Sequence, residues 1–150
     1  MVNYVIVPAQ KWHCNMLAPV MRPAEVREMM LAGQTPMEGL LFSLGWSLVA
    51  KSVFVDGEIA MMFGLAGEMA QDDGVAWCLT SDHIRKVPFS FAREARRELG
   101  KWLEIKKKVY AYVGKEYDCA QRFWRLMGFS VDNSQTLWTA DFQMLSIGRV

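Results

Sequence analysis

The stretch "SLVAKSVFVDGEIAMMFGLAGE" (47–68) leaves this chain few architectures to choose from. Two apolar, β-branched or bulky runs flank Asp56-Gly57, a dipeptide suited to the positive φ angles of a tight hairpin turn. The second run, Ile59 to Leu65, is apolar throughout apart from one glycine, as expected of a strand covered on both faces. "QDDG" (71–74) turns the chain again, and "VAWCLT" (75–80) reads as a third central strand. A hairpin followed by another interior strand requires covering layers on the sheet, and the rest of the chain has to supply them.

It has the patterns to do so. "NYVIVPA" (3–9) reads as a short strand stopped by Pro8. "MRPAEVREMMLAG" (21–33) reads as a helix with Pro23 in its first turn, Val26, Met29 and Met30 on one face, and Gly33 as terminator. Thr35 and Glu38 in "TPMEGLLFSLGWS" (35–47) have capping-box spacing, so a second helix follows at once. Pro88 to Lys107 reads as a long helix whose Ala95, Leu99, Trp102 and Leu103 form an inward stripe. "KVYAYVG" (108–114) is a strand. "YDCAQRFWRLMGF" (117–129) is a helix with Ala120, Phe123, Trp124 and Met127 on one face and Gly128 as its stop. "QTLWTADFQML" (135–145) alternates as a half-buried antiparallel strand does, and 129–131 can add a short one. The reading is a single α/β domain over 1–150, with a mixed sheet and helices on both faces.

Charge and cysteine usage narrow the setting. Net charge is +1, but residues 85–108 hold nine Lys/Arg against three Glu, while the remainder holds eight against thirteen acids. That imbalance hints at a phosphate-bearing or acidic partner, nucleic acid through the basic helix 93–108 among them. Glu94 to Arg97 and Glu104 to Lys108 have the spacing of intrahelical pairs, which favours a solvated face over a DNA-reading one. Three widely spaced cysteines without a CxxC motif argue against a disulfide framework or a zinc site, so no metal is expected and a reducing cytosol fits. The N-terminus lacks the pattern of a signal peptide, and no apolar run reaches membrane-spanning length.

The most informative junction is "WCLTSDHIRKVPFSFAREARR" (77–97), where an apolar strand passes through Thr-Ser-Asp into a charged helix. In α/β proteins such a junction often cradles phosphate on backbone N–H groups, with glycines permitting close approach. Here it contains no glycine. Ser81-Asp82-His83 holds the residue types of a hydrolase triad, but sequence neighbours do not converge as a triad requires, and capping by Ser81 or Asp82 is expected instead. His13-Cys14 lacks a second ligand or a base nearby; a surface histidine beside a buried cysteine is expected.

This order of elements, ending in a helix that runs into "RLMGF", resembles the Gcn5-related N-acetyltransferase (GNAT) fold over nearly the whole chain. "DGEIAMMFGL" looks like that family's second and third strands, "VAWCLTSD" like its fourth, and "CAQRFWRLMGF" like its final helix, usually A-x-x-x-Y-x-x-x-G-F. The resemblance implies a mostly antiparallel sheet of six to seven strands, whose fourth strand splays from the fifth to admit acyl-CoA. The run W-C-L-T-S-D at 77–82, the basic helix after it and the helix ending "LMGF" further resemble the internal virion protein A family of T-seven-like podophages.

Carried onto this sequence, the GNAT pattern R/Q-x-x-G-x-G/A falls on Arg85 to Ser90. Arg85 matches, while Pro88 and Ser90 replace both glycines. If acetyl-CoA binds, the resemblance implies backbone contacts from Cys78, Leu79 and Thr80 and phosphate contacts from Arg85, Lys86 and Ser90; Ser90 can equally cap the helix. The usual tyrosine acid falls on Trp124, which donates a hydrogen bond but no proton at neutral pH. Tyr117 is then the candidate acid, with Tyr110 and Tyr112 nearby in sequence and Glu58 or Glu68 as candidate bases. Three functions follow. The first is a phage virion-associated or assembly protein on a degenerate scaffold, in the host cytoplasm or the particle, without cofactor and acting through phage, host or self contacts. The second is an acetyl-CoA-dependent N-acetyltransferase for a host protein or small amine. The third is a binding module that takes CoA-like or nucleic-acid phosphates as a regulatory ligand on the basic helix.

Overall fold

The computed structural model describes residues 3–134 and 141–149. In chain order the elements are β1 (Tyr4–Pro8), α1 (Lys11–Leu17), α2 (Pro23–Leu31), α3 (Pro36–Gly45), β2 (Ser47–Val55), β3 (Glu58–Ala66), β4 (Asp73–Thr80), α4 (Ser90–Ile105), β5 (Lys108–Gly114), α5 (Asp118–Leu126), β6 (Ser130–Val131) and β7 (Phe142–Gly148). Short 3-10 turns cover Ala18–Val20 and Asp82–Lys86. The strand order is β1-β2-β3-β4-β5-β7-β6, mostly antiparallel, with β4 and β5 the parallel pair. The chain divides into two compact units, one of Met1–Ala66 with Trp77–Pro88, the other of Gly67–Ala76 with Phe89–Val150.

In the first unit the hairpin forms as its turn residues dictate. Asp56 (φ 49°) and Gly57 (φ 84°) both adopt positive φ, and Asp56 is the only non-glycine to do so among the described residues. β3 is buried at every position after Glu58. A bulge at Ala60 shifts the register between Val53–Met61 and Phe54–Ile59, so Ile59 and Met62, three residues apart, both join one apolar cluster. Cys14 and Leu17 of α1, Leu40 of α3, Met21 and Leu79 complete it. Gly64 is needed where it stands: a Cβ there would lie 2.8 Å from the Trp77 indole nitrogen and 2.6 Å from the Val49 carbonyl oxygen.

The N-terminal half departs from the sequence reading in three ways. α1 was not anticipated. His13 is buried rather than at the surface; its Nδ1 accepts the Gln10 N–H at 2.9 Å, and burial pulls its pKa below the ordinary value. Met30 faces solvent at 67% exposure, while Glu25 is the buried residue of α2. The Thr35–Glu38 capping box forms, with reciprocal bonds of 2.9 and 3.1 Å.

In the second unit β5 pairs antiparallel with β7 along its whole length, and β6 adds two residues to the other edge of β7. α4 spans Ser90–Ile105, shorter than the Pro88–Lys107 reading, and buries Phe91, Leu99 and Trp102. α5 buries Trp124 and ends at Gly128 (φ 102°). Among the described residues the last strand runs over Phe142–Gly148; the N-terminal part of that reading, 135–140, lies outside them. Lys106, just past α4, is completely buried, and its ammonium donates to the carbonyls of Glu68 and Gln71 at 2.5 Å each. The pairing expected between Glu104 and Lys108 does not form: Lys108 Nζ meets Asp132 at 3.0 Å.

Candidate functional site: the end of β4 and the turn after it

The residues singled out in sequence converge on the C-terminal end of β4 and the turn leaving it. Trp77 anchors the strand, its indole N–H donating to Ser47 Oγ (2.7 Å), whose own hydroxyl donates to the Ser43 carbonyl (2.6 Å). Leu79 is buried in the apolar cluster. Cys78 is half-buried; burial first, and the Glu25 charge second, hold its thiol well above the usual range, so it is no ready nucleophile.

Thr80 is fully engaged by the segment entering α2. Its N–H donates to Glu25 Oε1 at 2.5 Å, and its hydroxyl donates to Glu25 Oε2. Its carbonyl accepts from the Arg22 N–H at 3.1 Å, and an isolated bridge joins Met21 to Ser81. Glu25 is only 3% exposed, so this is a buried carboxylate with both oxygens bonded to Thr80. Arg22 Nε also reaches the exposed Asp82 at 3.7 Å.

The turn itself is closed on its own hydrogen bonds. Ser81 is its N-cap, as expected: its hydroxyl donates to the Ile59 carbonyl (2.6 Å) and accepts the His83 N–H (3.3 Å). The Ser81 N–H goes to the Ala60 carbonyl, the Ile84 N–H to Ser81 and the Val87 N–H to Ile84. Pro88 has no N–H to offer. The amides of His83, Ile84 and Val87 therefore serve a 3-10 turn rather than a cradle. Arg85 and Lys86 are exposed on it. Ser90 is not the helix cap: Phe89 occupies that position, in helical conformation and without a side-chain cap bond, and Ser90 is the first residue of α4.

The other expected groups have surroundings of their own. Tyr117 is the N-cap residue of α5, its N–H donating to the Gly114 carbonyl. Trp124 is buried, packed edge-on against Phe123 and Phe129. Tyr112 has its pKa raised by burial and then by Tyr110, which disfavours a proton relay at neutral pH. Glu58 and Glu68, the candidate bases, are both exposed. The carboxylate that sequence reasoning missed is Glu25, whose position in the first turn of a helix is where acids are favoured anyway and so carries no distinguishing signal.

The ladder between β4 and β5 runs from Asp73–Lys108 to Val75–Tyr110, three pairs, although β4 continues to Thr80 and β5 to Gly114. No helix among the described residues is long and apolar enough to cross a membrane.

Comparison with solved structures supports the fold assignment. The chain is similar to a PaiA N-acetyltransferase from Thermoplasma acidophilum in complex with coenzyme A, with a TM-score of 0.69 at 14% identity over 98% of this chain and 99% of that one. An aminoglycoside acetyltransferase in complex with coenzyme A matches with a TM-score of 0.65 at 13% identity, covering 98% and 95%. An acetyltransferase of the GNAT family from Bacillus anthracis matches at 0.64 and 9%, covering 97% and 94%. No family model and no curated protein matches the sequence. The chain thus has the GNAT acetyltransferase fold, and at these identities the likeness is one of fold.

Proposed function

We propose that this chain is a non-catalytic protein on the acetyltransferase scaffold, working through protein contacts in a phage particle or its assembly, as its resemblance to the internal virion protein A family implies. The observation that carries the reading is the turn after β4. Coenzyme A phosphates need backbone N–H groups presented outward. In this turn the N–H groups of His83, Ile84 and Val87 are bonded inward, position 88 has none, and the Thr80 N–H at the strand end belongs to Glu25. These residues do not fit the cofactor's usual seat. Exposed Trp12 on α1 and Phe42 and Trp46 on α3 are the kind of large apolar groups that protein contacts use.

The test is a titration of coenzyme A and acetyl-CoA by calorimetry and thermal shift. The expected result is no heat and no shift at millimolar ligand. Micromolar binding overturns the reading: ligand at one hundred times its Kd adds about 2.7 kcal/mol of stability, a rise of roughly 5–11 °C for a chain of this size. Cosedimentation with purified particles checks the setting.

One observation favours the enzyme as a second reading. It is the likeness of the fold to acetyltransferases solved in complex with coenzyme A. Under that reading coenzyme A is released from acetyl-CoA in the presence of an amine, and Tyr117→Phe slows it. No release, or release unaffected by Tyr117→Phe, removes Tyr117 as the acid.

A further inference from the structure

We propose that the outward face of α4 binds single-stranded nucleic acid. Phe89, Arg93, Arg97 and Lys101 recur at intervals of four residues and so lie along one face of the helix. Twelve residues at helical rise make that stripe about 18 Å long. It lies opposite the face that buries Leu99 and Trp102. All four side chains are exposed, and Phe89 at its head is 100% exposed.

Two features separate this face from an ordinary solvated one. The first is charge without partners. Arg93, Arg97 and Lys101 form no ion pair among the described residues, although Glu94 and Glu98 lie on the same helix. Arg96 flanks the stripe and donates to the Leu126 carbonyl at 2.8 Å. Glu104 faces the same way at the far end, and Glu94 borders the stripe on its Lys101 side. The second feature is Phe89. A fully exposed phenylalanine contributes nothing to packing and, at the head of a row of arginines, provides a stacking face for an unpaired base. An aromatic platform in line with cations is how sequence-tolerant single-strand binding works: bases stack and phosphates meet the charges. A duplex offers phosphates but no free base face, so the stripe should prefer single strands. This binding does not depend on whether coenzyme A binds.

The experiment is fluorescence anisotropy of a labelled 20-nucleotide deoxythymidine oligomer and of a 20-base-pair duplex, from 50 to 200 mM salt. Three results are expected together. The single strand binds more tightly than the duplex. Phe89→Ala weakens single-strand binding roughly 5- to 150-fold, the range of one lost base stack, and leaves duplex binding unchanged. The double variant Arg93→Ala/Arg97→Ala flattens the salt dependence by about 1.4 in log–log slope, two phosphate contacts on a single strand. Far-UV circular dichroism verifies that these exposed substitutions leave the helix intact. Absence of binding at 50 mM salt, equal affinity for the duplex, or an unchanged Phe89→Ala variant would each overturn the proposal.

Discussion

Glu25→Ala is the substitution most revealing about this molecule. It removes both acceptors of the Thr80 N–H and hydroxyl at a site where Glu25 is 3% and Thr80 8% exposed. Each orphaned donor costs about 1–3 kcal/mol, and bonds to a charged acceptor lie at the upper end. With the small void left by the side chain, the loss comes to about 3–5 kcal/mol, in line with breaking one side of a buried charged interaction. At this chain length that is a fall in Tm of roughly 6–20 °C. Glu25→Gln keeps a carbonyl for the amide, and the threonine hydroxyl can rotate to accept from the new amide nitrogen, so it should cost far less. The assay is urea unfolding of Glu25→Ala, Thr80→Val and the double variant. The carboxylate–hydroxyl bond predicts a coupling energy of about 1.5–3 kcal/mol. A coupling below about 0.5 kcal/mol, the scatter of independent sites, would refute the claim that the carboxylate is committed to Thr80.

Lys106→Met keeps the buried stem and deletes the ammonium that holds the Glu68 and Gln71 carbonyls; urea unfolding should show a loss of about 1.5–3 kcal/mol, and Lys106→Ala a larger one. A neutral Lys106→Met would mean that desolvation cancels both bonds. Asp132 accepts from the Ser134 N–H and the Ser146 hydroxyl and pairs with Lys108, contacts that hold its carboxyl well below the usual 3.8. A group with a depressed folded-state pKa stabilises fully above its unfolded pKa and loses that contribution as the pH falls through the folded one. The stability gap between the parent chain and Asp132→Asn should therefore be constant from pH 7 to about 5 and narrow below about 4; a gap that widens in acid would contradict the assignment.

What the sequence revealed and what it hid have physical reasons. The hairpin, the capping box and the helix stop at Gly128 were legible because each depends on residues within a few positions: Asp56-Gly57 for positive φ, Thr35 with Glu38 for reciprocal caps. The interior character of β3 was legible because burial on both faces leaves no polar position. α1 was missed because seven residues provide barely two turns of periodicity, and its buried His13 is satisfied by a local backbone bond rather than by a partner with a recognisable motif. The Glu25–Thr80 contact spans 55 residues, and neither residue type advertises it. The missing glycines at 88 and 90 were visible. That the His83, Ile84 and Val87 amides are bonded within the turn was not, because it depends on Ser81 reaching both the bulge in β3 and the turn behind it.

That double role of Ser81 limits how this surface can change. Restoring glycine at positions 88 and 90 would return flexibility and one amide, yet the His83, Ile84 and Val87 amides would still be bonded inward. Freeing the His83 amide would cost its bond to the Ser81 hydroxyl, the same hydroxyl that donates to the Ile59 carbonyl. A substitution at Ser81 is therefore felt twice, at the β3 bulge and in the turn that leads out of β4.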